Sequence, residues 1–158
     1  MHYLRCNKLS EASVPARLDE VQVAGERDIQ DLHDLYSRPD SGGPPPDFIM
    51  AEIQDDFSRG INSVVVVGDD RTKRIVSVAK IARENARAGT IVAVVTDSQF
   101  RRKGYASACV YRLVQSLIGR GKEALLGSLP EEHHLERLYG RLGFEHLLTM
   151  HTLVKTVD

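Results

Sequence analysis

A strand, a basic turn and a helix follow one another between Thr90 and Leu117, and this stretch constrains the fold most. It begins with TIVAVVTDSQF, an apolar run rich in β-branched residues that predicts a strand buried on both faces. The turn RRKGYA comes next. The last part, SACVYRLVQSL, has apolar residues at spacings of three and four, which is typical of one buried helix face. The pattern predicts half of a βαβ unit, and therefore an α/β fold.

The turn between this strand and this helix suits an anion. The first N–H groups of a helix have no partners within it, and the helix dipole adds partial positive charge there. Arg101, Arg102 and Lys103 add full charges, and Gly104 has no Cβ to keep a phosphate from the backbone. We interpret the turn as the pyrophosphate site of a cofactor; a solvated helix start with surface arginines is an alternative. The sequence contains no P-loop motif, G-x-x-x-x-G-K-[ST]. It also has no G-x-G-x-x-G motif after a predicted strand.

Two blocks of the sequence resemble the GNAT superfamily of N-acetyltransferases. RRKGYA, residues 101–106, is similar to that family's [Q/R]-x-x-G-x-[G/A] signature, and the preceding VVTDSQF resembles the end of its central strand. LYGRLGFE, residues 138–145, resembles its L-Y-x-x-x-G-F-E segment. The blocks stand in the family's order at a typical separation, and the resemblance covers roughly residues 76–145.

The resemblance implies one GNAT-like domain over residues 1–158, a three-layer sandwich in which helices cover both faces of a mixed, mostly antiparallel sheet. It also implies that the central strand splays away from the strand after the motif helix. Residues 1–15 are expected to form a peripheral strand or an extension.

The Pro- and Gly-rich segment 39–46 is expected to be a loop between two helices, and its position suggests a lid over the acceptor site. The second helix, residues 47–59, is predicted to turn Phe48, Ile49, Ile53 and Phe57 inward.

By the same resemblance, the cosubstrate is acetyl-CoA and the acceptor is the primary amine of an unidentified small molecule or protein, which attacks the thioester directly. Backbone groups of the central strand would hold the pantetheine arm and the acetyl carbonyl, while the turn and the first helical turn would hold the pyrophosphate. The predicted cofactor-binding residues are Val94, Val95, Thr96, Arg101, Arg102, Lys103, Gly104, Tyr105, Ala106 and Ser107.

Tyr139 is the predicted general acid, since it occupies the family position and its phenol is protonated at neutral pH. The alternative is that its ring only packs on the sheet. The base is not identified, because Thr90 stands where some family members carry a glutamate. Glu84 is the nearest carboxylate, although it is better explained as a solvated turn residue. Glu132 replaces an asparagine that holds the cofactor arm in many members.

Composition excludes several other classes. Lys and Arg total 21 against 22 Asp and Glu, a net charge of −1, which provides no broad basic surface for nucleic acid or a membrane. Two cysteines, no signal peptide and no membrane-length apolar run favour a cytoplasmic protein, and without a Cys/His cluster no metal is expected. The sequence is compatible with a homodimer. The competing hypotheses are a catalytically silent CoA-binding regulatory or interaction domain and an interaction domain without cofactor.

Overall fold

The centre of the molecule is a seven-stranded sheet. The computed structural model describes residues 1–41, 45–61, 63–67 and 73–151, with only the backbone described for 63–67. The strands are β1 (His2–Cys6), β2 (Val21–Val23), β3 (Ser63–Val67), β4 (Ile75–Glu84), β5 (Ala88–Thr96), β6 (Glu123–Ser128) and β7 (Glu145–Thr149). Their order across the sheet is β2-β3-β4-β5-β6-β1-β7.

Helices cover both faces of this sheet. They are α1 (Ile29–Tyr36), α2 (Pro46–Ser58), α3 (Tyr105–Gly119) and α4 (His133–Leu142). One core lies under α3 and α4 and includes Val110, Val114 and Leu117, all less than 1% exposed. The other lies under α1 and α2 and includes Ile49 and Ile53. The predicted three-layer, mixed α/β sandwich is confirmed.

The two halves of the sheet meet at β5 and β6. Strands β2 to β5 form an antiparallel meander, and α3 carries the chain from β5 to the parallel strand β6. The β5–β6 pairing runs from Ala88–Glu123 to Ile91–Leu126 and ends there, although β5 continues to Thr96. The two strands therefore diverge, as the resemblance implies.

Strand β1 lies inside the sheet, between β6 and β7 and antiparallel to both. Its Leu4 and Cys6 side chains are buried in the α3–α4 core. We expected residues 1–15 to be a peripheral strand or an extension, and the structure instead gives the first strand neighbours on both sides. These neighbours are more than a hundred residues away in sequence, so no local pattern indicates them.

The segment between α1 and α2 is described in part. Residues 42–44 of the predicted loop lie outside the described residues; Asp40 and Ser41 follow α1 directly. In α2 the predicted inward positions Ile49 and Ile53 are buried, but Phe48 is 63% exposed and was wrongly assigned to the core. One residue corresponds to a rotation of about 100° around a helix, so Phe48 cannot share the face of Ile49 and Ile53.

Candidate active site

A cleft of about 1570 Å³ opens where β5 and β6 diverge. Its walls are the end of β5, the turn before α3, the first turn of α3, one face of α4 and the segment 13–17. All the cofactor-binding residues predicted from the sequence line it: Val94, Val95, Thr96, Arg101, Arg102, Lys103, Gly104, Tyr105, Ala106 and Ser107. The structure thus brings these residues together, while their role in binding stays a prediction.

A β-bulge shapes the β5 side of the cleft. Val92 pairs with Lys80 and Val95 pairs with Val78, so two residues of β5 stand opposite one of β4. One of the two, Ala93, has a φ of 51°, a left-handed conformation that costs a residue with a Cβ about 1–2 kcal/mol. Because the pairing with β6 ends at Ile91, the edge of β5 beyond it has no strand partner on the cleft side.

The start of α3 has the geometry of an anion site. Gly104 is the N-cap of α3 with a φ of 86°, and a Cβ at this position would meet no atom within 4 Å, so the cleft is open to the backbone. No acidic residue stands in the first turn, and the N–H groups of Ala106 and Ser107 have no acceptor within the helix. These donors fit a pyrophosphate.

The charge of the cleft is positive. Its lining carries Arg17, Arg101, Arg102, Lys103, Arg137 and Arg141 against Glu20, Asp40 and Glu132. Arg17 pairs with Glu20 at 2.9 Å, and Arg101 pairs with Asp40 at 3.0 Å. Among the residues that the structure describes, no ion-pair or hydrogen-bond partner is found for the guanidinium groups of Arg102, Arg137 and Arg141. Uncompensated positive charge in a cleft attracts a polyanion.

The basic side chains of the turn differ in what they contact. Arg101 Nε donates to the Thr96 carbonyl at 3.2 Å and Arg101 Nη2 to the Asp40 carbonyl at 2.9 Å, so this residue ties the loop after α1 to the end of β5. Lys103 Nζ donates to the Gln99 carbonyl at 3.2 Å. Of these three side chains, only that of Arg102 has no hydrogen-bond or ion-pair partner among the described residues.

The segment 13–17 is a wall of the cleft that the sequence did not indicate. Arg17 Nε donates to the Lys103 carbonyl at 2.9 Å, and its guanidinium carbon lies 4.3 Å from the centroid of the Tyr105 ring. Tyr105 itself is 4% exposed and also packs edge-on against Phe100. Its side chain is therefore a support for Arg17, and only its backbone is placed to meet a ligand.

Tyr139 is not among the residues that line the cleft. It lies on the inner face of α4, is 2% exposed, and its ring centroid is 5.8 Å from that of Phe144. Burial, and secondly the negative charge of Glu132, hold the pKa of the Tyr139 phenol well above its usual value. The phenol is therefore protonated throughout the physiological range. A hydrogen-bond donor role and a packing role both remain compatible with this position.

Carboxylates in the cleft are few. Glu84 lies at the end of β4 that pairs with the start of β5, where Arg120 and Lys122 bind its carboxylate. Those contacts, the Lys122 hydrogen bond first, lower the pKa of Glu84, and it does not line the cleft. Glu132 does line it, and its Oε2 accepts from the Leu129 amide at 2.9 Å. Within the described ranges no cluster of three or more His, Cys, Asp or Glu side chains could hold a metal ion.

Comparison with known families identifies the chain. The model of the FR47-like protein family matches residues 66–153, more than half of the sequence. The chain belongs to the FR47-like family, within the GNAT superfamily of N-acetyltransferases. The matched region of this FR47-like chain contains β5, the turn, α3, β6 and α4, and therefore most of the cleft.

Solved structures share the fold of this FR47-like chain at low identity. A GNAT-family protein from Novosphingobium aromaticivorans DSM 12444 is 19% identical at a TM-score of 0.69, with 92% of this chain and 60% of that one covered. A GNAT-family acetyltransferase from Colwellia psychrerythraea is 11% identical at 0.74, with 92% and 52% covered. The aminoglycoside acetyltransferase AAC(6')-Iy is 14% identical at 0.71, with 87% and 97% covered.

The coverage differs among these structures. This chain spans little more than half the length of the Novosphingobium and Colwellia proteins, and nearly the whole length of AAC(6')-Iy. A search of curated protein sequences finds no match. None of the described helices is both long enough and apolar enough to span a bilayer.

Proposed function

We propose that this FR47-like chain is an N-acetyltransferase that uses acetyl-CoA and acts on a primary amine. The observation that carries the proposal is the cleft itself, in which diverging strands lead to the N-terminus of α3 under a surplus of positive charge. AAC(6')-Iy, which shares the fold, has been solved with the bisubstrate analogue CoA-S-monomethyl-acetylneamine. That neighbour supports CoA as the donor and a small amine as the acceptor.

Each part of the cleft has a separate task in this proposal. Acetyl-CoA supplies the activated acetyl group as a thioester. The amides at the start of α3, with Ala106 and Ser107 in the first turn, bind the pyrophosphate. The unpaired edge of β5 from Val94 to Thr96 binds the pantetheine arm and directs an N–H group at the carbonyl that accepts charge. Positioning the two reactants in this way can lower the barrier by up to about 7–11 kcal/mol.

The departing thiolate accepts a hydrogen bond from Tyr139 and takes its proton from solvent. The amine nitrogen forms the new bond to the acetyl carbon, the carbon–sulfur bond breaks, and the amine releases a proton to solvent. With reference pKa values near 10 and 8.5, proton transfer from a phenol to a thiolate is uphill by about 2 kcal/mol. The raised pKa of Tyr139 increases this cost. Tyr139 therefore acts as a hydrogen-bond donor to the sulfur rather than as a strong acid.

Calorimetric titration with acetyl-CoA tests the cofactor site. The decisive variant is Gly104→Glu, which puts bulk and negative charge in the open space beside the α3 amides. Two controls separate charge from backbone strain: Gly104→Ala, and Gly121→Glu, at a glycine with a φ of 72° and equally open surroundings beyond the other end of α3. We expect binding to be lost in Gly104→Glu alone. Equal affinity in Gly104→Glu and Gly121→Glu would contradict the assigned pyrophosphate position.

A catalytically silent CoA-binding domain is the second candidate, favoured by Tyr139, which is buried and absent from the cleft lining. Thiol release from acetyl-CoA with a panel of amines distinguishes the two, because only an enzyme releases thiol in proportion to acceptor. In the active protein we expect Tyr139→Phe to lower kcat about a hundredfold, with acetyl-CoA affinity nearly unchanged. An unchanged kcat would remove Tyr139 from the mechanism.

A further inference from the structure

Two of the unpartnered arginines stand together at one end of the cleft. Arg137 and Arg141 lie one helical turn apart on the face of α4 that lines the cleft, and both are exposed. The end of α4 next to Arg141 is joined to the N-terminal segment, because the Ser10 amide donates to the Leu142 carbonyl at 3.2 Å. That segment continues to residues 13–17, which cover the turn before α3. Arg141 therefore lies at the end of α4 that adjoins the N-terminal segment.

The other end of α4 lies at the end of β6. Glu132 precedes the helix and binds the Leu129 amide just after β6, three residues beyond Leu126, where the pairing of β6 with β5 ends and the two strands diverge. A ligand whose acetyl group lies at this divergence and whose pyrophosphate lies at the α3 amides has its remaining part free to run along the α4 wall of the cleft. On that wall, Arg137 and Arg141 are the cations without a partner among the described residues.

The chemistry of two adjacent guanidinium groups suits a phosphomonoester. Such a group carries about two negative charges near neutral pH and three strong acceptor oxygens, which arginine forks bind in pairs. The other basic residues of the cleft are already assigned: Arg17 and Arg101 bind carboxylates, and Arg102 and Lys103 immediately precede Gly104 in the pyrophosphate turn. CoA has one phosphomonoester, the 3′-phosphate of its ribose.

We propose that Arg137 and Arg141 bind the 3′-phosphate of CoA, so that the cleft selects CoA over 3′-dephospho-CoA. This inference rests on the proposed function, since it assumes the same donor in the same cleft. It assigns to α4 a specificity role that does not involve the acetyl group or the acceptor. The arginines bind the donor and take no part in proton transfer.

Titration calorimetry with CoA and with 3′-dephospho-CoA tests the proposal without an acceptor. We expect wild-type protein to bind CoA at least about tenfold more tightly, as one or two exposed charge-assisted hydrogen bonds predict. In the double variant Arg137→Gln, Arg141→Gln the affinity for CoA should fall to that for 3′-dephospho-CoA, which itself should not change. The unchanged binding of 3′-dephospho-CoA also shows that the cleft is intact.

The matched control is Arg87→Gln, which removes one exposed positive charge at the turn between β4 and β5, away from the cleft. It should keep the wild-type preference for CoA. Equal binding of both ligands by wild-type protein would overturn the 3′-phosphate assignment while the proposed function stands, and so would a preference that survives in the double variant. Failure of wild-type protein to bind either ligand would refute the proposed function itself.

Discussion

Asp97 is the residue whose replacement should most clearly loosen the loop after α1, part of which lines the cleft. It follows β5 directly, and its side chain is fully buried. Arg38 Nη1 binds its Oδ2 at 2.7 Å, Arg74 binds the same oxygen, and the Gln99 amide donates to Oδ1 at 3.1 Å. Through Arg38 this carboxylate fixes the start of the loop after α1, which brings Asp40 and Ser41 to the cleft.

The cost of Asp97→Asn can be worked from these contacts. Removing one charge of a buried ion pair typically costs about 3–5 kcal/mol. The Arg38 and Arg74 side chains are 28% and 41% exposed, so water can rehydrate them, and asparagine still accepts from the Gln99 amide. We therefore expect a loss of roughly 2–3 kcal/mol in the free energy of unfolding.

Urea unfolding at neutral pH, followed by circular dichroism, measures this loss. The matched control is Asp55→Asn, because Asp55 is 57% exposed and binds only Arg59 on the same helix face. The control should lose less than about 0.5 kcal/mol. If Asp97→Asn costs no more than Asp55→Asn, the buried carboxylate does not hold the loop and the argument fails.

Three further predictions concern other contacts. Glu132→Gln keeps the acceptor for the Leu129 amide and removes a negative charge from the cleft. Acetyl-CoA should therefore bind about two- to fivefold more tightly at low salt, as measured by calorimetry. Weaker binding would contradict this. Burial raises the pKa of the Cys109 thiol to about 12. The contribution of this thiol to the free energy of unfolding is therefore complete below its pKa in the unfolded chain, about 8.5, and is lost as pH rises toward 12. Accordingly, Cys109→Ala should flatten the decline of unfolding free energy between pH 9 and 11 by about 1.4 kcal/mol per pH unit, and equal slopes would refute it. Gly143→Ala should cost roughly 2–3 kcal/mol in thermal unfolding, because φ is 104° and the new Cβ would lie 2.5 Å from the Lys8 carbonyl oxygen; a neutral effect would show that the β1–α4 connection is loose.

Features fixed by short-range pattern were predictable. The apolar spacing that defines α3 and the β-branched run of β5 are local, and the predicted cofactor-binding residues 94–107 are nearly continuous, so their assembly in one cleft follows from one strand–turn–helix unit. The apolar spacing does not define the first residue of α3. Gly104, with a φ of 86°, is the N-cap, so the helix begins at Tyr105, within the RRKGYA segment that we described as the turn.

Features fixed by distant contacts were not predictable. Arg17 reaches a carbonyl 86 residues away, and no motif marks it. The basic face of α4 becomes meaningful only once the structure shows that Arg137 and Arg141 line the same cleft as the turn. Likewise, the bulge at Ala93 depends on register against β4, which an apolar run such as TIVAVVT does not specify.

Strand β1 also determines whether the cleft can stay open. Beyond Leu126, β6 has no partner on its β5 side, and its last residues Gly127 and Ser128 pair only with Tyr3 and His2. The arm of the sheet that stands away from β5 is therefore supported entirely from its outer side. During synthesis β1 can form these pairs only after β6 and β7 have been synthesised. The cleft is therefore complete only when β1 has paired with β6 and β7.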